Sequence, residues 1–188
     1  MLRAKVCLVG ESGVGKTSLI RRYVLDQFSD EYISTLGTKV LKKQMSFDLP
    51  ARRGLVLMMT VWDIMGEREL ISVVKESYFN GASGIMAVCD LTRPETLPAL
   101  NLWIQAVTKV VGKVPVVLAA NKLDLIPPRS IKQLSDGLGI FARDHGGSEI
   151  LTSAKTGENV ELAFRKLGSD VIERLVARMK EAPVVPDA

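Results

Sequence analysis

The sequence predicts an α/β fold: a mostly parallel six-stranded sheet with one antiparallel edge strand and about five helices. Three observations predict it. Short apolar runs alternate with segments of helical period along the chain. One pair of strand-forming runs is joined by a turn too short for a crossover, so that pair is an antiparallel hairpin. The first apolar run, Val6-Cys7-Leu8-Val9, leads directly into Gly10–Thr17, which reads Gly-Glu-Ser-Gly-Val-Gly-Lys-Thr and fits the phosphate-loop pattern G-x-x-x-x-G-K-[ST]. A glycine-rich turn between a strand and a helix aims backbone N–H groups inward and adds the positive end of the helix.

The elements follow in order. Thr17 to Leu25 has helical spacing, with Leu19, Ile20 and Val24 on one side. Asp26 to Thr38 is polar and lacks periodicity. Lys39 to Leu49 is a strand with Leu41, Met45 and Phe47 on one face, and Lys39 and Lys42 suit an edge. Pro50 to Gly54 is a turn. Leu55 to Trp62 is almost unbroken in its apolarity, which predicts burial on both faces. Asp63 to Arg68 is a loop and Glu69 to Phe79 a short helix. Gly84 to Cys89 is another buried strand. Pro94 is placed in the first turn of a helix reaching Val111. Val114 to Ala120 is a strand, followed by a loop through Pro127 and Pro128. Ser130 to Asp144 is a helix weakened by Gly137 and Gly139. Glu149 to Leu151 is a short strand. Asn159 to Lys180 is the last helix, with an apolar stripe running from Val160 to Val176. Right-handed crossovers gather the loops after the parallel strands on one edge of the sheet.

With 188 residues the chain is expected to form one domain, residues 1–181, followed by a flexible tail, 182–188. No apolar run is long enough to span a bilayer, and the start of the chain leaves no room for a signal peptide, so a cytoplasmic location is expected. A net charge of +4 is mild and fits a solvated surface. No zinc spacing or RNA-binding signature points to nucleic acid. Cys7 and Cys89 each lie in an apolar run and read as buried reduced thiols. The single histidine, His145, lies in a polar stretch without nearby ligand residues and reads as a surface group.

A phosphate loop alone does not choose between ATP and GTP, or between a kinase and a hydrolase. Asn121-Lys122-Leu123-Asp124, directly after the Val114–Ala120 strand, resembles the guanine motif Asn-Lys-x-Asp of the Ras superfamily, and that resemblance makes the choice. A carboxylate at Asp124 accepts from both the N1–H and the 2-amino group of guanine. Adenine lacks those donors and would leave a desolvated charge unpaired. Here the chain resembles the Ras superfamily of small GTPases, whose guanine motif is Asn-Lys-x-Asp, with the P-loop NTPase (small G protein) fold that this implies. Ser153-Ala154-Lys155 is similar to the second guanine loop of that family, in which the alanine N–H meets the guanine carbonyl. Phe28 to Thr35 looks like its first switch, and Asp63-Ile64-Met65-Gly66 fits its Asp-x-x-Gly second switch. Ser34-Thr35-Leu36-Gly37 is most similar to the Rab branch. The resemblance spans Leu2 to Lys180, with the motifs in family order.

The resemblance implies a guanine-nucleotide switch that binds GTP or GDP with Mg²⁺ and hydrolyses GTP. Glu11, Ser12, Gly13, Val14, Gly15, Lys16, Thr17 and Ser18 would hold the phosphates, with Lys16 on the β- and γ-phosphates. Thr17, Thr35 and Asp63 would hold the metal. Phe28, Asn121, Lys122, Asp124, Ser153, Ala154 and Lys155 would hold the guanosine. Gly66 would sense the γ-phosphate, and Lys16, Thr35, Gly66 and Glu67 would carry catalysis. Segments near 28–38 and 63–79 would change partner affinity, with effectors, exchange factors and GTPase-activating proteins as the partners.

Three departures stand out. Where the family usually has Asp-Thr-Ala-Gly-Gln, this chain has Asp63-Ile64-Met65-Gly66-Glu67. A carboxylate ~5 Å from one γ-phosphate charge costs about 3 kcal/mol at an effective dielectric near 20, so slow intrinsic hydrolysis is expected. Ser12, in place of a glycine found in some Ras relatives, is expected to permit hydrolysis but to narrow the space for an activator's arginine. The tail carries no cysteine and the second residue is Leu2, so no lipid anchor is evident and membrane recruitment is expected only through a partner. Two other classes stay open: a scaffold that holds nucleotide without turnover, favoured by Glu67 and Met65, and a phosphate-loop kinase or ATPase, opposed by Asn121 to Asp124.

Overall fold

In a computed structural model of the chain, residues 1–29, 38–49, 52–66 and 77–181 are described. Their strands are β1 (Leu2–Val9), β2 (Thr38–Leu49), β3 (Arg52–Ile64), β4 (Ala82–Asp90), β5 (Val116–Asn121) and β6 (Ser148–Leu151). The helices set among them are α1 (Lys16–Leu25), α2 (Thr96–Val111), α3 (Pro128–Asp144) and α4 (Val160–Glu181), with a 3₁₀ turn at Leu123–Leu125. The expected helix Glu69–Phe79 falls mostly outside the described residues, and only its end, 77–79, is described as helical. The first switch from residue 30 to 37, the turn residues Pro50 and Ala51, and the tail 182–188 also lie outside them.

The sheet order is β2-β3-β1-β4-β5-β6. β1 pairs in parallel with β3 and β4, β4 with β5, and β5 with β6. Among the described strands only β2 with β3 is antiparallel, from Thr38 opposite Ile64 to Leu49 opposite Arg52. β2 therefore forms one edge of the sheet, and its exposed Lys39 and Lys42 are the charged positions expected of an edge.

Alternation along the strands feeds two cores, one on each side of the sheet. Val6, Leu8, Leu57, Met59, Met86 and Val88 pack with Leu19 and Ile20 of α1 and Phe164 and Leu167 of α4. Cys7, Val9, Ile85 and Ala87 pack with Leu100, Trp103 and Val107 of α2 and Leu138 and Ala142 of α3. Both cysteines are buried free thiols, and burial pushes each up to about 12. His145 does not simply face solvent, because its Nε2 lies 2.9 Å from Asn101 Oδ1 and its ring packs near Phe141.

Three expectations are corrected. β3 is buried on one face only: Leu55, Leu57, Met59 and Val61 are buried, while Val56, Met58, Thr60 and Trp62 are half-buried. Apolarity misled here because Trp62 is only half-buried: among the described residues Tyr78 meets it edge-on, and the Lys5 ammonium lies 3.7 Å from its ring. Pro94 sits in a turn before α2, not inside it, because the Thr96 hydroxyl caps that corner by donating to the Arg93 carbonyl and accepting from the Asp90 N–H. Pro128 opens α3 and does not extend the loop; a proline suits a first helical position, where no N–H partner is needed.

Candidate functional site

The loops after β1, β3, β4, β5 and β6 meet on one edge of the sheet, and the phosphate loop lies among them. Close packing explains its glycines. A Cβ on Gly10 would lie 2.2 Å from the Val88 carbonyl oxygen, and one on Gly15 would lie 2.2 Å from Asn121 Nδ2. Both residues also hold positive φ, which only glycine adopts without strain. Lys16 folds back over the loop, and its ammonium donates to the Gly10 carbonyl at 2.7 Å and the Glu11 carbonyl at 2.9 Å. Burial lowers this lysine to about 8, and the nearby charges of Asp63 and Glu11 pull it back up while Arg93 pushes it down. An anionic ligand between these groups would restore the charge's partner.

The Thr17 hydroxyl donates to Asp63 Oδ2 at 2.5 Å. The other oxygen, Asp63 Oδ1, is buried and accepts no hydrogen bond. Burial raises the Asp63 carboxyl; the Thr17 hydrogen bond and the Lys16 and Lys39 charges work against it. A buried carboxylate oxygen without a donor, beside a threonine hydroxyl, fits a divalent cation. Among the described residues no cluster of three His, Cys, Asp or Glu could hold a metal. The donor set of one carboxylate and one hydroxyl suits Mg²⁺, which keeps several waters and takes phosphate oxygens. Gly66 packs against the loop so closely that a Cβ would lie 2.5 Å from the Glu11 carbonyl carbon and the Ser12 nitrogen. Thr35 and Glu67 lie outside the described residues.

The expected guanine loops are bound to each other. Asn121 Nδ2 donates to the Val14 carbonyl at 2.9 Å. Asn121 Oδ1 accepts from the Ala154 N–H at 3.1 Å and the Thr152 hydroxyl at 3.4 Å. The Ser153 hydroxyl donates to Asp124 Oδ1 at 2.6 Å, and Asp124 is exposed. The Ala154 N–H is therefore engaged by Asn121, and a guanine carbonyl would have to share it. Phe28 is half-buried and packs against the core beneath α1 and α4. The structure brings the phosphate loop, Asp63, Gly66 and both guanine loops together.

Sequence reasoning missed four groups. Asp90 ends β4 with its side chain fully buried and binds the Lys122 ammonium at 2.6 Å. Arg93 binds Asp90 through Nε at 2.9 Å and the Ser12 carbonyl through Nη2 at 2.9 Å. Trp103 of α2 donates its indole N–H to Glu11 Oε1 at 3.2 Å. Arg22 of α1 donates to the Ala154 carbonyl at 3.0 Å and the Lys155 carbonyl at 2.7 Å. Asp90 carried a readable signal, since like Asp63 it is an acid at the end of a buried strand.

A family model described as Ras family matches residues 5–173. The chain belongs to the Ras family. Ras-related protein Rab-13 of Mesocricetus auratus is 34% identical over 170 residues, covering 89% of this chain and 79% of that protein. Ras-related protein Rab-1D of Dictyostelium discoideum is 32% identical over 180 residues, covering 95% and 84%. Rab-13 of Bos taurus is also 34% identical over 170 residues. This member of the Ras family is thus a Rab-like small GTPase: a GTP-dependent switch that binds GTP and GDP with Mg²⁺, hydrolyses GTP, and works with regulators and effectors. The scaffold alternative is not favoured.

Proposed function

We propose that the residues gathered on this edge divide the switch's work as follows. Gly13, Val14, Gly15, Lys16, Thr17 and Ser18 hold the phosphates, with Glu11 and Ser12 at the loop's start. Thr17 and Asp63 hold Mg²⁺, together with Thr35 when GTP is bound. Asp124 reads the guanine edge, Lys122 lies along the base, Ser153, Ala154 and Lys155 close over it, and Phe28 supports it. Gly66 reports the γ-phosphate to the second switch.

The observation that carries this reading is the unpartnered Asp63 oxygen beside the Thr17 hydroxyl, under the Lys16 ammonium. Bound Mg²⁺ would supply charge that neutralises the β- and γ-phosphate oxygens. Lys16 stabilises the charge that builds on the transferred phosphoryl group, and the loop N–H groups fix its orientation. Glu67 accepts a hydrogen bond from an attacking water but donates none, and its charge opposes the γ-phosphate, so we assign slow intrinsic turnover to it. The two reduced, buried thiols favour a reducing compartment, and we place the protein in the cytoplasm.

Single-turnover release of phosphate from γ-labelled GTP·Mg²⁺ tests these assignments. Release that is abolished in Lys16→Ala and rises roughly tenfold in Glu67→Gln is the expected result. An equal or lower rate in Glu67→Gln would remove Glu67 as the limit on chemistry. No release from the wild type, with or without cell extract, would count against hydrolysis by these residues.

A further inference from the structure

We infer that Arg93 is a positioning residue of the phosphate loop: it holds the Ser12 carbonyl so that the Gly13 N–H is aimed at the nucleotide's β-phosphate. The inference rests on the phosphate-loop role proposed above. It begins with peptide geometry. In a trans peptide the C=O of one residue and the N–H of the next point in opposite directions. A side chain that holds the Ser12 oxygen from one side therefore turns the Gly13 N–H to the other. Two carbonyls of the loop are held in this way by residues from neighbouring strand ends. Asn121, at the end of β5, holds Val14 and so turns the Gly15 N–H. Arg93, just past the end of β4, holds Ser12 and so turns the Gly13 N–H.

Lys16 says which phosphate is served. Its ammonium, the group that reaches the β- and γ-phosphates, rests on the Gly10 and Glu11 carbonyls. The start of the loop therefore lies at the outer end of the phosphate chain, and the Ser12–Gly13 peptide follows directly.

Arg93 is itself fixed. Its Nε is bound to Asp90 Oδ2, and its N–H donates to the Asp90 carbonyl at 2.9 Å. Its own carbonyl accepts from the Thr96 hydroxyl at 2.7 Å and the Thr96 N–H at 3.0 Å. A plain surface ion pair is the competing explanation, and such pairs contribute little. That explanation leaves the second contact without a role. Asp90 is already met by the Lys122 ammonium and by the N–H and hydroxyl of Thr92. The guanidinium uses one arm on Asp90 and another on the loop, a fork that lysine does not reproduce.

The test measures GDP and GMP affinities for wild type, Arg93→Ala and Arg93→Lys by competition against a fluorescent guanine nucleotide. Melting temperatures are recorded alongside, and the Gly13 amide is followed by NMR of the GDP complex. The expected result is a preference for GDP over GMP that falls roughly tenfold in Arg93→Ala, by the loss of one well-aimed N–H to an anion. Arg93→Lys should recover only part of it, and the Gly13 amide resonance should move upfield in both variants. General destabilisation would weaken GDP and GMP alike and leave their ratio unchanged, which overturns the inference. Full recovery by lysine would assign the effect to charge alone and also overturn it, and Arg93→Lys keeps the question open to measurement if Arg93→Ala does not fold. An unmoved Gly13 resonance would also overturn the inference. A wild type with no preference for GDP would remove the phosphate-loop role itself, and the inference with it.

Discussion

Asn121 is buried, and its amide serves Val14, Thr152 and Ala154 at once. Replacing it with alanine leaves one donor and two acceptor contacts broken between three loops. Asn121→Ala should cost about 2–4 kcal/mol of stability in urea unfolding of the nucleotide-free protein. Nucleotide release should accelerate in the same variant. Gly66 is the other residue where one atom decides an outcome. An added methyl would strike the Glu11–Ser12 backbone, which has no flexible end to yield. Gly66→Ala should therefore lose roughly tenfold in affinity for a non-hydrolysable GTP analogue while GDP affinity stays near wild type. Equal loss for both nucleotides would show that the glycine merely supports the loop. Lys16, Asn121 and Asp124 were legible in the sequence because each sits at a fixed offset within a motif. Arg93 was not, because its partner Ser12 is 81 residues away and the contact is to a carbonyl, a group every residue has.

Among the elements, the corner between β4 and α2 joins both halves of the site through Asp90. Burial alone would raise the Asp90 carboxyl, but hydrogen bonds from Lys122, Thr92 and Arg93 outweigh it and hold the group below its ordinary 3.8. A carboxyl depressed in the folded state stabilises fully above its unfolded value and loses that stabilisation as pH falls through the folded one. Asp90→Asn should be about 2 kcal/mol less stable than wild type at pH 7. The gap should close as the pH is taken below 3.8, read by urea unfolding at each pH. A gap that is constant with pH would mean the carboxylate's charge is not what holds the corner. The elements themselves were mostly readable from the sequence, and where they were not the cause is specific. β3 reads as buried on both faces because Val56, Met58 and Trp62 are apolar, yet each is only half-buried, and the Lys5 ammonium sits over the Trp62 ring. Hydropathy records what a side chain prefers and not which layer the fold supplies.

At the scale of the molecule, two cores on opposite sides of one sheet contribute loops to a single edge. α1 reaches the second guanine loop through Arg22, and α2 reaches the phosphate loop through Trp103. A nucleotide with its metal would bind across parts of both halves and so stabilise the whole fold by mass action. Adding a chelator to the GDP·Mg²⁺ complex should lower its melting temperature by several degrees, roughly the shift for a loss of 1–2 kcal/mol. It should also speed nucleotide release, and unchanged release would argue against a metal on Thr17 and Asp63. Parallel topology was legible from the alternation of elements. The meeting of the two halves was not, because it depends on long side chains crossing between loops distant in sequence.

The two buried cysteines have a consequence for experiment. Burial pushes each thiol up to about 12, so in the closed protein almost none of it is thiolate at neutral pH. A thiol-reactive dye then reports how often the strands part and not how reactive the sulfur is. Cys7 lies within β1, and Cys89 adjoins Asp90 at the site's edge. Their separate labelling rates would time two different openings of one molecule, a clock already present in the natural chain.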